Sequence, residues 1–274
     1  DPLGRLTGRA FSDGSGARLA YDANHNLIGA SNQHVTYTFT YDAMDRLKTF
    51  IDSRFNKTLT YDYDRLGRRT SLTDSEGGVF TYSWDANSRM ASVQNPAGAT
   101  AAFTYDALGR RTGLAYSSGV VSDYRYDAAG RTTSVTHPGM AGFAYIYDEM
   151  GNPVSVTDSS GAHEFRYDQL DRLVGAAHPS LPAESYRYDG AGNRLASSTD
   201  PGYAYDAAGR LVSAEGAAYL YDKNGNPIRK TTASGTTTYT WDIANQLVRI
   251  DLPDGGVATY KYDPLGRRIE KNAG

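Results

Sequence analysis

The chain has no cysteine among its 274 residues, which excludes disulfides, thiolate nucleophiles and thiolate metal sites. Its five histidines, His25, His34, His137, His163 and His178, show no metal-ligand spacing, so no metal, cofactor or histidine-based catalysis is expected and the chain is not read as an enzyme. No stretch approaches the roughly 18 consecutive apolar residues of a membrane helix, and no membrane span is expected. Positive charge is not in excess either. With 28 basic against 31 acidic residues and a formal charge of −3, there is no electrostatic footprint for a phosphate backbone, and nucleic acid is not an expected partner.

What is abundant is tyrosine and glycine, 22 and 29 residues respectively, in a chain that is 12% aromatic. That combination suits strands joined by tight turns. It is organised as an internal repeat. An Asp recurs at 1, 22, 42, 64, 85, 106, 127, 148, 168, 189, 206, 222, 242 and 263, at spacings of 20 to 22 residues apart from two steps of 17 and 16. The residue before it is Tyr41, Tyr63, Trp84, Tyr105, Tyr126, Tyr147, Tyr167, Tyr188, Tyr205, Tyr221, Trp241 or Tyr262, and Tyr21 in the copy at 22. A second column, three before the Asp, is aromatic in every such copy except Leu19. Aromatics two apart give the period of a strand with one packed face.

Three residues after the Asp stands Gly in nine of fourteen copies, including Gly67, Gly109, Gly130, Gly151, Gly209 and Gly266; the others are His25, Asp45, Ser88, Asp171 and Asn245. Asp opening a turn and Gly closing it predict a type I turn followed by a left-handed residue in a G1 bulge. Ser88 is expected to be strained or differently turned. After the Gly column comes Arg in nine copies, among them Arg68, Arg110, Arg131, Arg210 and Arg267, with Asn or Gln in five. A ladder of Arg could bind acidic glycans, but the expected role is structural, stacking on the neighbouring Tyr or pairing with a repeat Asp, since planar guanidinium suits both. The units Asp64-Gly67-Arg68, Asp106-Gly109-Arg110, Asp127-Gly130-Arg131, Asp148-Gly151, Asp206-Gly209-Arg210 and Asp263-Gly266-Arg267 thus read as repeat turns, and the two aromatic columns as what holds the wall together.

Turns also fall about ten residues after each Asp, as at Asn95-Pro96-Ala97-Gly98 and Asp254-Gly255. The expectation is an all-β antiparallel hairpin meander of about 28 strands, two per repeat. At about 4.8 Å per strand such a sheet would be about 130 Å wide, and rolled into one turn it would have a radius of about 20 Å. The stretches Asp222-Lys223-Asn224-Gly225-Asn226 and Asp22-Ala23-Asn24-His25-Asn26 resemble the opening of a calcium loop but lack its sixth-position Gly and twelfth-position Glu, so ordinary turns are expected. Residues 1–274 read as one array, with regular repeats over 1–188, two shortened ones over 189–222 and regular repeats over 223–274. The opening Asp1-Pro2-Leu3-Gly4-Arg5 reads as half a unit, hence a piece of something longer.

The units Tyr105-Asp106-Ala107-Leu108-Gly109-Arg110, Tyr126-Asp127-Ala128-Ala129-Gly130-Arg131 and Tyr205-Asp206-Ala207-Ala208-Gly209-Arg210 resemble the YD repeat of the RHS family. The resemblance covers essentially the whole chain. It implies a β ribbon spiralling into a hollow shell, as in bacterial polymorphic toxins, the C component of insecticidal toxin complexes and the teneurins. In the toxin relatives the shell encloses a C-terminal toxin or effector domain released by cleavage at a core-end segment. Asp263-Pro264-Leu265-Gly266 is superficially like that segment but stays in repeat register. The resemblance further implies secretion or cell-surface display by a bacterial export system, with an enclosed polypeptide or neighbouring shell repeats as partners. The alternative is an adhesive or carbohydrate-binding scaffold. Exposed edge strands leave self-association open.

Overall fold

The structure, a computed structural model, describes residues 1–199 and 202–274. Among the described residues it is all-β: 27 strands, from β1 (Gly8–Ala10) to β27 (Arg268–Ala273), and no helix. The strands form a 19-stranded sheet, β1–β19, and an eight-stranded sheet, β20–β27. Strands adjacent in sequence pair antiparallel, as in Ala102↔Ala115 and Lys261↔Glu270. The chain divides into two compact units, residues 1–81 with 216–274, and residues 82–215.

The turns follow from the repeat chemistry. All fourteen residues three after the Asp have positive φ, from +58° at Asp45 and Asp171 to +94° at Gly151. Ser88, at +61°, adopts the same turn as the glycines, so the expectation that it is differently turned does not hold. In each described turn of this kind the third residue donates its N–H to the Asp carbonyl, as Gly109 does to Asp106 at 3.0 Å, and the Asp N–H returns to the residue four on. The pairing then slips by one residue at the aromatic, between Thr104 and Tyr105 for example, and at the equivalent place in eleven other hairpins. The extra residue, Thr112 in the Tyr105 hairpin, lies on the strand after the turn, so the aromatic and the residue three before the Asp stay on one face of their own strand by simple alternation. Around the shortened repeats the strands contract: β19 (Arg194–Ser197) and β21 (Leu211–Ala214) have four residues and β20 (Ala204–Tyr205) two.

Burial is shallow. Among the described residues, ten hydrophobic ones are buried, seven of them alanine, and no large side chain is fully enclosed. Stability therefore rests on half-buried aromatic side chains and on polar links between hairpins. The densest cluster is in the first unit, where Ala30, Val35 and Tyr37 meet Leu19, Phe39, Phe50 and Ile269. Here the ribbon meets itself. Arg9 and Asn32 donate to the carbonyls of Pro264 and Tyr262 (3.3 and 2.9 Å), and Arg54 to that of Ile269 (3.3 Å). The Asp263 side chain is fully covered and pairs with Arg267, whose guanidinium lies 5.5 Å from the Tyr37 ring. A YD turn of the last repeat is thus seated against the half-period turns of the first ones.

Candidate functional site

The repeated feature with chemical character is the joint between one YD turn and the next. Its first component is the Asp carboxylate. One oxygen accepts the backbone N–H groups two and four residues on, as Asp106 does from Leu108 and Arg110 (3.0 and 2.9 Å). The other accepts the Arg Nε, at 2.6 Å for Arg110 and Arg131. These bonds favour the ionised form. The Arg46 guanidinium, helped by the Arg46 and Met44 amides against desolvation, holds Asp42 at about 2. Asp127 and Asp168 are lowered in the same way, with the Arg hydrogen bond leading. At Asp64 and Asp106 desolvation is the largest single influence and raises the pKa, but the combined bonds to Arg68 and Arg110 and their turn amides outweigh it.

The second component is the reach of that Arg into the next repeat. Arg5, Arg46, Arg89, Arg110, Arg131 and Arg172 each donate Nη1 to the backbone carbonyl of the next repeat Asp, at 2.8 to 3.2 Å. The same six guanidinium groups lie 4.6 to 5.0 Å from the ring of the Tyr that precedes that Asp. Stacking and Asp pairing therefore coexist in one side chain, which the planar fork of Arg permits and Lys does not. Arg69, Arg111, Arg194 and Arg268, one residue further on, lie over the second aromatic column, 4.5 Å from Tyr124 in the case of Arg111.

The third component is the return bond. Nine of the column tyrosines, from Tyr41 to Tyr262, donate their hydroxyl to the carbonyl of the residue following the Arg position of the preceding repeat, at 2.7 to 3.1 Å. Trp241 does the same through Nε1, 2.8 Å from the Pro227 carbonyl. The column demands a donor as well as a ring. A signal for this was present in the sequence: Phe occurs three before the Asp, at 39, 103 and 165, but never immediately before it.

A second form of the joint explains three of the five non-glycine turns, those at Asp45, Asp171 and Asn245. Asn26 and Asn152 occupy the Arg position and are too short to reach the next carbonyl and ring. Their amides donate instead to the left-handed residue of the next turn, Asp45 and Asp171, at 2.8 Å each. Asn226 meets Asn245 in the same way at 2.9 Å. Every Asp or Asn in the left-handed column follows an Asn. In the Arg form the left-handed residue takes no part in the joint: a Cβ on Gly109 would meet Arg89 Nη1 at an ordinary contact distance of 3.7 Å, and one on Gly130 would meet nothing within 4 Å. The calcium-like stretches at Asp22 and Asp222 are joints of the Asn form. Among the described residues no group of three or more His, Asp or Glu is placed to hold a metal ion.

The sequence profile of the family described as Teneurin YD-shell matches residues 51–182 and 156–274. Among curated proteins, the probable deoxyribonuclease RhsA of Dickeya dadantii is 42% identical over 69 residues, 23% of this chain and 5% of that protein. The tRNA nuclease WapA of Bacillus subtilis is 36% identical over 77 residues, 27% and 3% of the two chains. The matched stretch is a twentieth or less of these relatives. Among solved structures, a TcdB2-TccC3 crystal structure aligns over 100% of this chain and 20% of its own, with a TM-score of 0.58 at 12% identity. The Photorhabdus luminescens Tc holotoxin pore aligns over 97% and 21%, with a TM-score of 0.50 at 12% identity. At that identity the likeness concerns the fold alone.

Proposed function

Because the chain belongs to the Teneurin YD-shell family, we propose that it is a wall segment of a hollow shell built by a longer exported protein, and that the shell encloses a separate toxin or effector polypeptide. The observation that carries this reading is the joint. The Asp carboxylate, the Arg fork and the Tyr hydroxyl are all engaged in linking one repeat to the next, and none converges on a reacting centre. The wall has a mechanical role, and any catalytic activity of the parent resides outside these repeats.

The expectation of glycan recognition by the Arg ladder gains no support. Six of the nine Arg, Arg110 among them, are each already held by a carboxylate, a carbonyl and a ring, so an acidic sugar would have to displace three partners there. The test is electron microscopy of the full-length parent. A closed wall around internal density is the expected result, and an open ribbon would overturn the proposal.

A further inference from the structure

In the second unit, His163 on β16 (Gly161–Tyr167) and His178, just past β17 (Leu173–Ala177), face one another with Nδ1 to Nδ1 at 2.7 Å. Their outer nitrogens are flanked by carboxylates. His163 Nε2 lies 3.3 Å from Asp158 Oδ2 and 3.2 Å from Ser160 Oγ, and His178 Nε2 lies 3.5 Å from Glu184 Oε1. Tyr186 donates its hydroxyl to Glu184, and Phe165 meets His178 edge-on. Glu164 and Arg166 alternate onto the other face of β16. The groups facing the pair are therefore two carboxylates, two hydroxyls and one aromatic ring.

Proton counting constrains this arrangement. A bond between two Nδ1 atoms needs one protonated and one bare nitrogen. Of the two outer nitrogens, His163 Nε2 lies closer to its carboxylate (3.3 against 3.5 Å), and Glu184 already accepts from Tyr186, so in the neutral pair the proton sits on His163 Nε2 and its Nδ1 accepts from His178. The bond survives with two or three protons on the four ring nitrogens. A fourth places two N–H groups and two cationic rings head to head, and the bond breaks.

What the bond holds is a loop. Residues 178–183 join β17 to β18 (Glu184–Tyr188), and these strands share two paired positions, Gly175↔Ser185 and Ala176↔Glu184. Pro179 lies on Gly161, leaving no room for a Cβ there, so the His pair and the proline seat together pin the loop to the preceding half-period turn.

We infer that His163 and His178 form an acid-released latch, which keeps loop 178–183 closed while the pair shares a proton and frees it when both rings are fully protonated. Imidazole is the side chain that gains charge between about pH 8 and 5, a range in which carboxylates and phenols ordinarily keep theirs. The inference is independent of whether the parent encloses a cargo.

The test is hydrogen exchange of the 274-residue chain, with rates corrected for intrinsic pH dependence. Amides of 176–184 are expected to exchange at least tenfold faster at pH 5 than at pH 8, with no such change over 111–116. His178→Gln and His163→Gln are each expected to remove the pH dependence. Unchanged exchange of 176–184 in the wild-type chain would overturn the latch, as would variants that keep the wild-type dependence. Should the variants not fold, nitrogen chemical shifts of the wild-type rings decide: both Nδ1 atoms protonated while 178–183 stays protected would refute it.

Discussion

Replacing Tyr147 by Phe removes one oxygen and nothing else from the aromatic column. The hydroxyl donates to the Thr132 carbonyl at 2.7 Å, and burial, the leading influence, raises its pKa. Arg131 remains 4.9 Å from the ring in either case, so the substitution isolates the return bond. A net contribution of about 1 kcal/mol is expected for such a bond. Tyr105, Tyr126 and Tyr147 bond to separate carbonyls, those of Met90, Arg111 and Thr132, so the triple Phe variant should lose about 3 kcal/mol. That is a large part of the 5–15 kcal/mol typical of a domain. Equilibrium urea unfolding reads the difference. Tyr124 supplies the internal control: Arg111 lies over its ring, its hydroxyl has no hydrogen bond among the described residues, and Tyr124→Phe should stay within about 0.5 kcal/mol of wild type. If Tyr124→Phe cost as much as Tyr147→Phe, or if the triple variant were neutral, the column would require only a ring and the return bond would be incidental.

Further outcomes follow from the same joint. Arg131→Lys should cost about 1 kcal/mol in urea unfolding, because an ammonium cannot serve Asp127, the Asp148 carbonyl and the Tyr147 ring together. Asp171→Gly, although it relieves a left-handed non-glycine residue at φ +58°, removes one of the two carboxylates that the Asn152 amide donates to, leaving Asp148 alone, whereas Asn152→Arg combined with Asp171→Gly recreates the other joint. A double-mutant cycle should show a favourable coupling of at least about 0.5 kcal/mol. Eleven of the repeat aspartates have pKa values below the usual 3.8, with Asp42 at about 2. The unfolded chain binds protons before the folded one does, so their stabilisation is complete above about pH 4 and is lost as pH falls towards 2. Thermal unfolding across that range should show a steep loss of midpoint, absent between pH 5 and 4.5 by comparison.

The turns were legible in the sequence because their determinants are local. Asp and the left-handed residue are three apart, and a single backbone conformation suits Gly109, Asp45 and Ser88 alike. The all-β meander was legible for a similar reason, since alternation and turn spacing both act within one hairpin. The joints were legible in part: stacking on Tyr and pairing with Asp were expected of the Arg column, and both occur in Arg110, but not which repeat supplies each partner. Tyr147 meets Thr132 across 15 residues and Asn152 meets Asp171 across 19, so each partner looks ordinary alone and acquires meaning when consecutive repeats are laid side by side. The His163–His178 pair escaped for the same reason, as its 15-residue separation matches no ligand motif yet equals the reach from Tyr147 to Thr132. The seating of the Asp263 turn against Tyr37 lies beyond any local rule, because it depends on where the ribbon returns.

The two forms of joint bear on how such a protein can change length. A duplication or deletion whose breakpoints both fall within Arg–Gly joints leaves every neighbouring joint matched, and what it changes is where the ribbon returns to seat the Asp263 turn. A breakpoint between Asn152 and Asp171 instead brings a short amide against glycine, the combination already present at Asn193 and Gly209, or an Arg against a carboxylate. Repeats flanked by Arg and Gly present the same joint to any neighbour of their kind, whereas Asn26–Asp45 and Asn152–Asp171 are joints whose two partners must change together to keep their bond.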